Sequence, residues 1–205
     1  MKQRAVFLDR DGVLNPDIGY PHLLEDATLY TDVLQSLHLL SKLGFVLIVV
    51  TNQSGIGRGI FTLEDVRSFH SRLIRMLAKG NVYLRPNQFY ICPHSPSEKC
   101  NCRKPSPGLI LDAAADFNID LKQSFLIGDK ETDVSAGRAA GVATILLDRG
   151  RKGTRTRADF RVSSLTGAAE VIRLRVPSSF RRVARPQPTM RTSRRYPGTR
   201  KSRNR

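Results

Sequence analysis

Three short apolar runs in this chain each stop at a polar signal, and that pattern constrains the fold more than any other feature. Residues 4–8, Arg-Ala-Val-Phe-Leu, end at Asp9-Arg10-Asp11-Gly12. Residues 45–50 end at Thr51-Asn52-Gln53-Ser54, and residues 124–127 end at Gly128-Asp129-Lys130-Glu131-Thr132-Asp133. Runs this short, rich in β-branched and aromatic residues, read as strands buried on both faces. Such strands need cover above and below, so helices must alternate with them. Val33, Leu34, Leu37, Leu40 and Leu43 fall at helical spacing, and Gly44 stops that helix. Thr62 suits the N-cap of a helix reaching about Ala78, with Glu64 and Asp65 in its first turn. A strand is expected at Gln88–Ile91 and a helix over 106–117, with Pro107 near its start. A helix over Thr132–Ala140 is stopped by Gly141, and a strand follows at Val142–Leu147. A weak strand near Phe160–Val162 and a helix near Leu165–Leu174 close the domain. The expected fold class is α/β, a doubly wound parallel sheet of Rossmann-like type. No long insertion follows the first or second strand, so no large cap domain is expected.

In open α/β sheets, ligands sit beyond the carboxyl ends of the strands. One Asp after one strand is usually a turn or a helix cap. Three such ends, with the basic pair Arg103-Lys104 further on, read as one site.

Charge separates the chain into two parts. The net charge is +16, but residues 173–205 hold twelve Lys or Arg and no Asp or Glu, leaving 22 basic against 18 acidic residues before them. That segment is poor in large apolar residues and cannot offset its ordering entropy by burial. The expected organisation is a catalytic domain over 1–172 and a basic, disordered tail over 173–205. The tail's charge suits weak, non-specific contact with nucleic acid or an anionic membrane. No signal-peptide pattern opens the sequence and no apolar run is long enough to span a bilayer, so a cytoplasmic location is expected. A monomer is expected.

The three cysteines, Cys92, Cys100 and Cys102, lie within eleven residues. An odd, clustered set argues for metal rather than disulfides. With His94 they make a Cys₃His set suited to tetrahedral zinc. The set lies in a loop, so the site reads as structural, pinning the loop that presents Arg103 and Lys104. His22, His38 and His70 read as carrying no chemistry, and Gly55–Gly59 lacks the ending of a Walker loop.

In order along the chain, Asp9-Arg10-Asp11-Gly12-Val13, Thr51, Lys104 and Gly128–Asp133 resemble the four motifs of the haloacid-dehalogenase-like phosphatase superfamily, over about residues 4–150. The resemblance implies a magnesium-dependent phosphatase. Asp9 and Asp129 would supply carboxylate ligands and Asp11 its backbone carbonyl. Asp9 would attack phosphorus, while Asp11 protonates the leaving alkoxide and then deprotonates water. Thr51 and Lys104 would hold the transferring phosphoryl oxygens, and Asp133 would orient Lys104 or metal-bound water.

The zinc loop and the CRKP run after it resemble the bacterial heptose-bisphosphate and histidinol-phosphate phosphatase branch. Asp17-Ile18-Gly19-Tyr20 and Thr51 through Gly59 resemble the heptose side of it, whereas the seven residues from His94 to Cys100, counted inclusively, match the histidinol side. By that resemblance, Asp17, Ile18, Gly19, Tyr20, Thr51, Asn52, Gln53 and Ser54 line the substrate pocket, and Arg103 and Lys130 meet a second phosphate or sugar hydroxyls. The expected reaction is removal of the 7-phosphate of heptose 1,7-bisphosphate. Histidinol phosphate and polynucleotide ends are the alternative substrates, and a binding module with a dead site is the alternative from another class.

Overall fold

The computed structural model describes residues 2–150 and 155–176. Six strands form one sheet: β1 (Ala5–Leu8), β2 (Val46–Asn52), β3 (Phe89–Cys92), β4 (Phe125–Gly128), β5 (Ala143–Leu147) and β6 (Phe160–Val162). Six helices accompany them: α1 (Val33–Lys42), α2 (Ser54–Gly57), α3 (Leu63–Ala78), α4 (Gly108–Asp116), α5 (Glu131–Ala140) and α6 (Leu165–Arg175). The strand order is β3-β2-β1-β4-β5-β6 and every pairing is parallel.

The period of two along each strand divides the core between two faces. Val6, Leu8, Leu47, Val49, Phe125 and Ile127 face one side, where α1, α3 and α6 contribute Leu37, Leu77 and Ile172. Ala5, Phe7, Ile48, Val50 and Leu126 face the other, where α4 and α5 contribute Ile110, Ala113 and Ala136. All four β1 residues are fully buried, which is why the strand runs read as continuous apolar segments.

Thr62 caps α3 as expected, its side chain accepting from the Asp65 N–H while Asp65 takes the Thr62 N–H at 2.7 Å. Two expectations shift. The helix expected over 106–117 starts at Gly108, because Pro107 sits at φ −83°, ψ 0° as its cap. The closing helix, expected near Leu165–Leu174, runs as α6 to Arg175, past the domain boundary expected at 172, and Val176 after it is buried. The rest of the expected tail lies outside the described residues. Among the described residues no helix is long and apolar enough to cross a membrane.

Candidate active site

The sheet order reverses direction between β1 and β4, which is where α/β sheets of this type open a crevice. Asp9 follows β1 and Asp129 follows β4, so the topology alone brings two carboxylates to that point. A cleft of about 470 Å³ opens there, lined by Asp9, Asp11, Thr51, Lys104 and Asp133 at its floor and by Asp17, Gly19, Tyr20, Arg103 and Lys130 among the residues around them.

Lys104 anchors the floor. Its Nζ lies 2.8 Å from Asp9 Oδ1 and 2.6 Å from Asp133 Oδ1, and donates to Val50 O at 2.8 Å. The side chain is 3% exposed. Burial alone would lower its pKa, but Asp133 and Asp9 outweigh burial and hold the ammonium charged. The Asp9 carboxyl is pushed up to about 7, first by burial and then by Asp133 and Asp11, with Lys104 opposing. Asn52 fixes the backbone that carries Lys104: its Nδ2 donates to Lys104 O at 3.0 Å, and its Oδ1 accepts from Lys104 N at 3.1 Å.

Asp11 is held by a second network. Arg10 Nε donates to its Oδ1 at 2.8 Å and Arg10 Nη2 to its Oδ2 at 2.9 Å. Asn15 Nδ2 adds a bond to Oδ1 at 2.8 Å, and Gln53 Nε2 one to Oδ2 at 3.0 Å. Arg10 is fully buried, with its guanidinium 4.6 Å from the Phe69 ring centre. His70 closes its far side, Nε2 lying 3.3 Å from Arg10 Nη1. Burial, then the charge of Arg10, push that imidazole well below its usual range, so a neutral ring faces the guanidinium.

The donor set fits a hard divalent cation. Carboxylate oxygens of Asp9, Asp129 and Asp133 lie within 4.8 Å of one another, all three residues being buried. Lys104 pairs with two of them, which leaves negative charge for a cation to balance. The backbone is shaped to the same end. Gly12, at φ 83°, passes so close to Asp129 that a Cβ there would sit 2.4 Å from Oδ2, so only glycine allows the approach.

The loop after β3 gathers the second candidate metal set. Cys92 Sγ is 3.5 Å from His94 Nδ1 and 3.8 Å from Cys100 Sγ, and His94 Nδ1 is 3.2 Å from Cys102 Sγ. Metal–sulfur bonds of about 2.3 Å and tetrahedral angles give sulfur–sulfur edges of about 3.8 Å, which the Cys92–Cys100 distance matches, and all four ligand atoms lie within 4.8 Å of one another. Hydrogen bonds from Cys102 first, then from His94 and Cys100, outweigh burial and pull Cys92 down to about 5. The loop reaches the cleft directly: Arg103 Nη1 donates to His94 O at 3.2 Å, and Lys104 follows two residues after Cys102. Helix α2 docks on it, with Gly57 N donating to Pro93 O at 2.8 Å.

Of the residues expected to line the pocket, Ile18 alone is absent from the cleft, and several of the others also have partners within the protein. Ile18 is 63% exposed and does not line the cleft. Asn52 borders the cleft, but its amide is engaged at both ends by the Lys104 main chain. Gln53 lines the cleft although it is only 3% exposed, and its amide bonds Asp11, Thr51 and Arg10. Lys130 Nζ pairs with Asp17 Oδ2 at 2.8 Å, tying the loop after β1 to the loop after β4. Asp133 pairs with Lys104 through Oδ1 and accepts the Lys130 N–H through Oδ2 at 3.0 Å. Sequence reading missed Arg10 and Asn15, which hold Asp11, and Thr132, which lines the cleft. The available signal for Arg10 was a charged residue between two acids at the end of a fully apolar strand.

Comparison with known proteins agrees with this geometry. Residues 101–168 match the HAD-hydrolase-like family model. The D-glycero-beta-D-manno-heptose-1,7-bisphosphate 7-phosphatase of Photorhabdus laumondii subsp. laumondii is 41% identical over 162 residues, covering 76% of this chain and 85% of the relative. The Yersinia pestis protein of the same name is 39% identical over 182 residues, covering 83% and 96%. Among solved structures, the D,D-heptose 1,7-bisphosphate phosphatase of B. bronchiseptica, complexed with magnesium and phosphate, superposes with a TM-score of 0.77 at 29% identity, covering 84% of this chain and 99% of that one. With Lys104 bridging the buried acids Asp9 and Asp133 beside the switch point, and relatives of this similarity over most of their length, the chain belongs to the heptose-1,7-bisphosphate 7-phosphatase family of HAD-like hydrolases.

Proposed function

We propose that this protein removes the 7-phosphate of D-glycero-D-manno-heptose 1,7-bisphosphate through an aspartyl-phosphate on Asp9. The observation that carries the reaction type is the buried Lys104 ammonium within ion-pair distance of both Asp9 and Asp133 at the switch point. Magnesium is the cation assigned to Asp9, Asp129 and the Asp11 carbonyl; when bound, it supplies positive charge to the phosphoryl oxygens. An Asp9 carboxylate oxygen attacks phosphorus in line, and the sugar C7 oxygen leaves with a proton from Asp11. Asp11 then takes a proton from water, which attacks the same phosphorus and releases inorganic phosphate and free Asp9. Lys104 Nζ and Thr51 Oγ1 hold the phosphoryl oxygens in place throughout.

Substrate choice rests on loops at the rim. Arg103, next to Lys104, and Lys130, next to Asp129, are two cations flanking the reaction centre, which suits a substrate carrying a second phosphate. Asp17, Gly19, Tyr20 and Ser54 are assigned to the sugar. Zinc on Cys92, His94, Cys100 and Cys102 is assigned a structural role, holding the loop that carries Arg103. A cytoplasmic location is consistent with that substrate. The short spacing from His94 to Cys100 favours histidinol phosphate as the second reading. Phosphate release from heptose 1,7-bisphosphate, fructose 1,6-bisphosphate, histidinol phosphate and phosphorylated DNA ends separates them by kcat/KM. Heptose bisphosphate should lead, and a higher kcat/KM for histidinol phosphate would overturn the assignment.

A further inference from the structure

Arg149 lies outside every motif of the site, in the loop after β5, yet its guanidinium ends on the loop after β1. Nε donates to Gly12 O at 3.2 Å and Nη2 to Val13 O at 2.8 Å. Nη1 faces both carboxylate oxygens of Asp32, at 3.3 and 3.2 Å. The Tyr30 ring lies under the guanidinium, 3.5 Å from its carbon to the ring centre. Tyr30 in turn donates its N–H to Leu14 O at 3.0 Å. Every nitrogen of the fork is therefore committed, which is the arrangement for which arginine, and not lysine, is suited. The residue also holds φ 46°, a backbone region unfavourable for any side-chain-bearing residue.

We propose that Arg149 is a positioning residue for the divalent-metal site, acting through the main chain of Gly12. The loop at Gly12 is pinned from both sides: Gly12 N donates to Asn15 O at 2.7 Å, while Gly12 O accepts from Arg149. The peptide plane between Asp11 and Gly12 contains the Asp11 carbonyl, and fixing Gly12 N fixes which way that carbonyl points. The same glycine abuts Asp129, whose Oδ2 would lie 2.4 Å from a Cβ at that position. A small shift of Gly12 therefore moves two of the three groups assigned to the cation. Partners that orient metal ligands from outside the coordination sphere commonly change affinity by about 10–100-fold.

This inference rests on the magnesium site proposed above, and the test separates the two. Magnesium binding is measured by calorimetry on the full-length, zinc-loaded protein, beside the thermal midpoint without magnesium. Arg149→Gln should raise the magnesium dissociation constant by about tenfold or more, with the magnesium half-saturation of turnover rising in parallel. Arg149→Lys, which cannot span both carbonyls and Asp32, should fall between. An unchanged magnesium affinity with a lowered thermal midpoint would make Arg149 a fold tether only and overturn the proposal. Should Arg149→Gln fail to fold, Asp32→Asn loosens the fork from its other side. Weakened magnesium binding in folded Asp32→Asn supports the proposal, and unchanged binding overturns it. No magnesium binding by the unaltered protein would overturn the metal site itself, and this proposal with it.

Discussion

Arg10 grips both carboxylate oxygens of Asp11, Nε to Oδ1 at 2.8 Å and Nη2 to Oδ2 at 2.9 Å. The pair is adjacent in sequence, one member is fully buried, and the other lines the cleft. A bidentate fork in a buried setting fixes direction as well as charge. Gln53 completes the grip by joining Asp11 Oδ2 to Thr51 Oγ1. Gln53→Met preserves volume and removes both donor bonds. Hydrogen bonds to charged groups contribute about 1.5–3 kcal/mol, so kcat should fall roughly 10–100-fold with KM little changed. A larger effect on KM than on kcat, in steady-state assays, would return Gln53 to the substrate-contact role that the family resemblance implies.

Asp9→Asn should abolish turnover and leave the fold intact. The amide is isosteric, but it is a poor nucleophile and a weaker ligand for a hard cation. Rapid quench with ³²P-labelled substrate should trap acid-stable phosphoprotein in the unaltered enzyme only briefly and none in the variant. Near-wild-type turnover by pure Asp9→Asn would rule out the aspartyl-phosphate route.

Zinc should be present at about one per chain in protein purified without chelators. Stripping all metal and restoring magnesium alone should leave activity depressed, because the loop from Cys92 to Cys102 leads directly into Arg103 and Lys104. Adding zinc as well should restore it. Metal analysis that finds no zinc, with three titratable thiols, would exclude the structural role.

These networks mark where the sequence could be read and where it could not. Strands buried on both faces leave continuous apolar runs, so β1, β2, β4 and the polar signals that end them were legible. Strand order was not, because nothing in Ala5–Leu8 says that its neighbours are β2 and β4. The four-residue α2, built from Ser-Gly-Ile-Gly, carries no helical periodicity and escaped notice. Asn52 and Gln53 were assigned to the substrate pocket by the resemblance of the segment from Thr51 onward. Their actual partners, Lys104 and Asp11, lie 52 and 42 residues away. Chain position identifies polar groups near a site; it does not say which of them face each other.

Truncation after Val176 should retain turnover, since α6 and the buried Val176 remain in place. Removal from Leu165 onward should not, because α6 packs on α1 and on the β5–β6 end of the sheet through Leu165, Ala168, Ala169 and Ile172. Thermal melts and turnover of the two truncations check this. Inactivity of a well-folded 1–176 chain would show that the basic segment contributes to the site.

Lys104→Met offers the sharpest test of the floor of the cleft. The substitution keeps an unbranched side chain and removes the charge that Asp9 and Asp133 share at 2.8 and 2.6 Å. Breaking a buried ion pair from one side leaves uncompensated charge and costs about 3–5 kcal/mol. Here two carboxylates lose their partner, so urea midpoints at neutral pH should drop clearly in the absence of magnesium. Magnesium should return part of the loss, because the cation assigned to Asp9 and Asp129 can take over some of the balancing charge. Turnover should stay low even at saturating magnesium, since Lys104 is also assigned to the transferring phosphoryl group and methionine has no donor to offer it. Two observables thus separate two roles: stability reports the ion pairs, and kcat reports the phosphoryl contact. Full recovery of kcat with magnesium alone would confine Lys104 to charge balance.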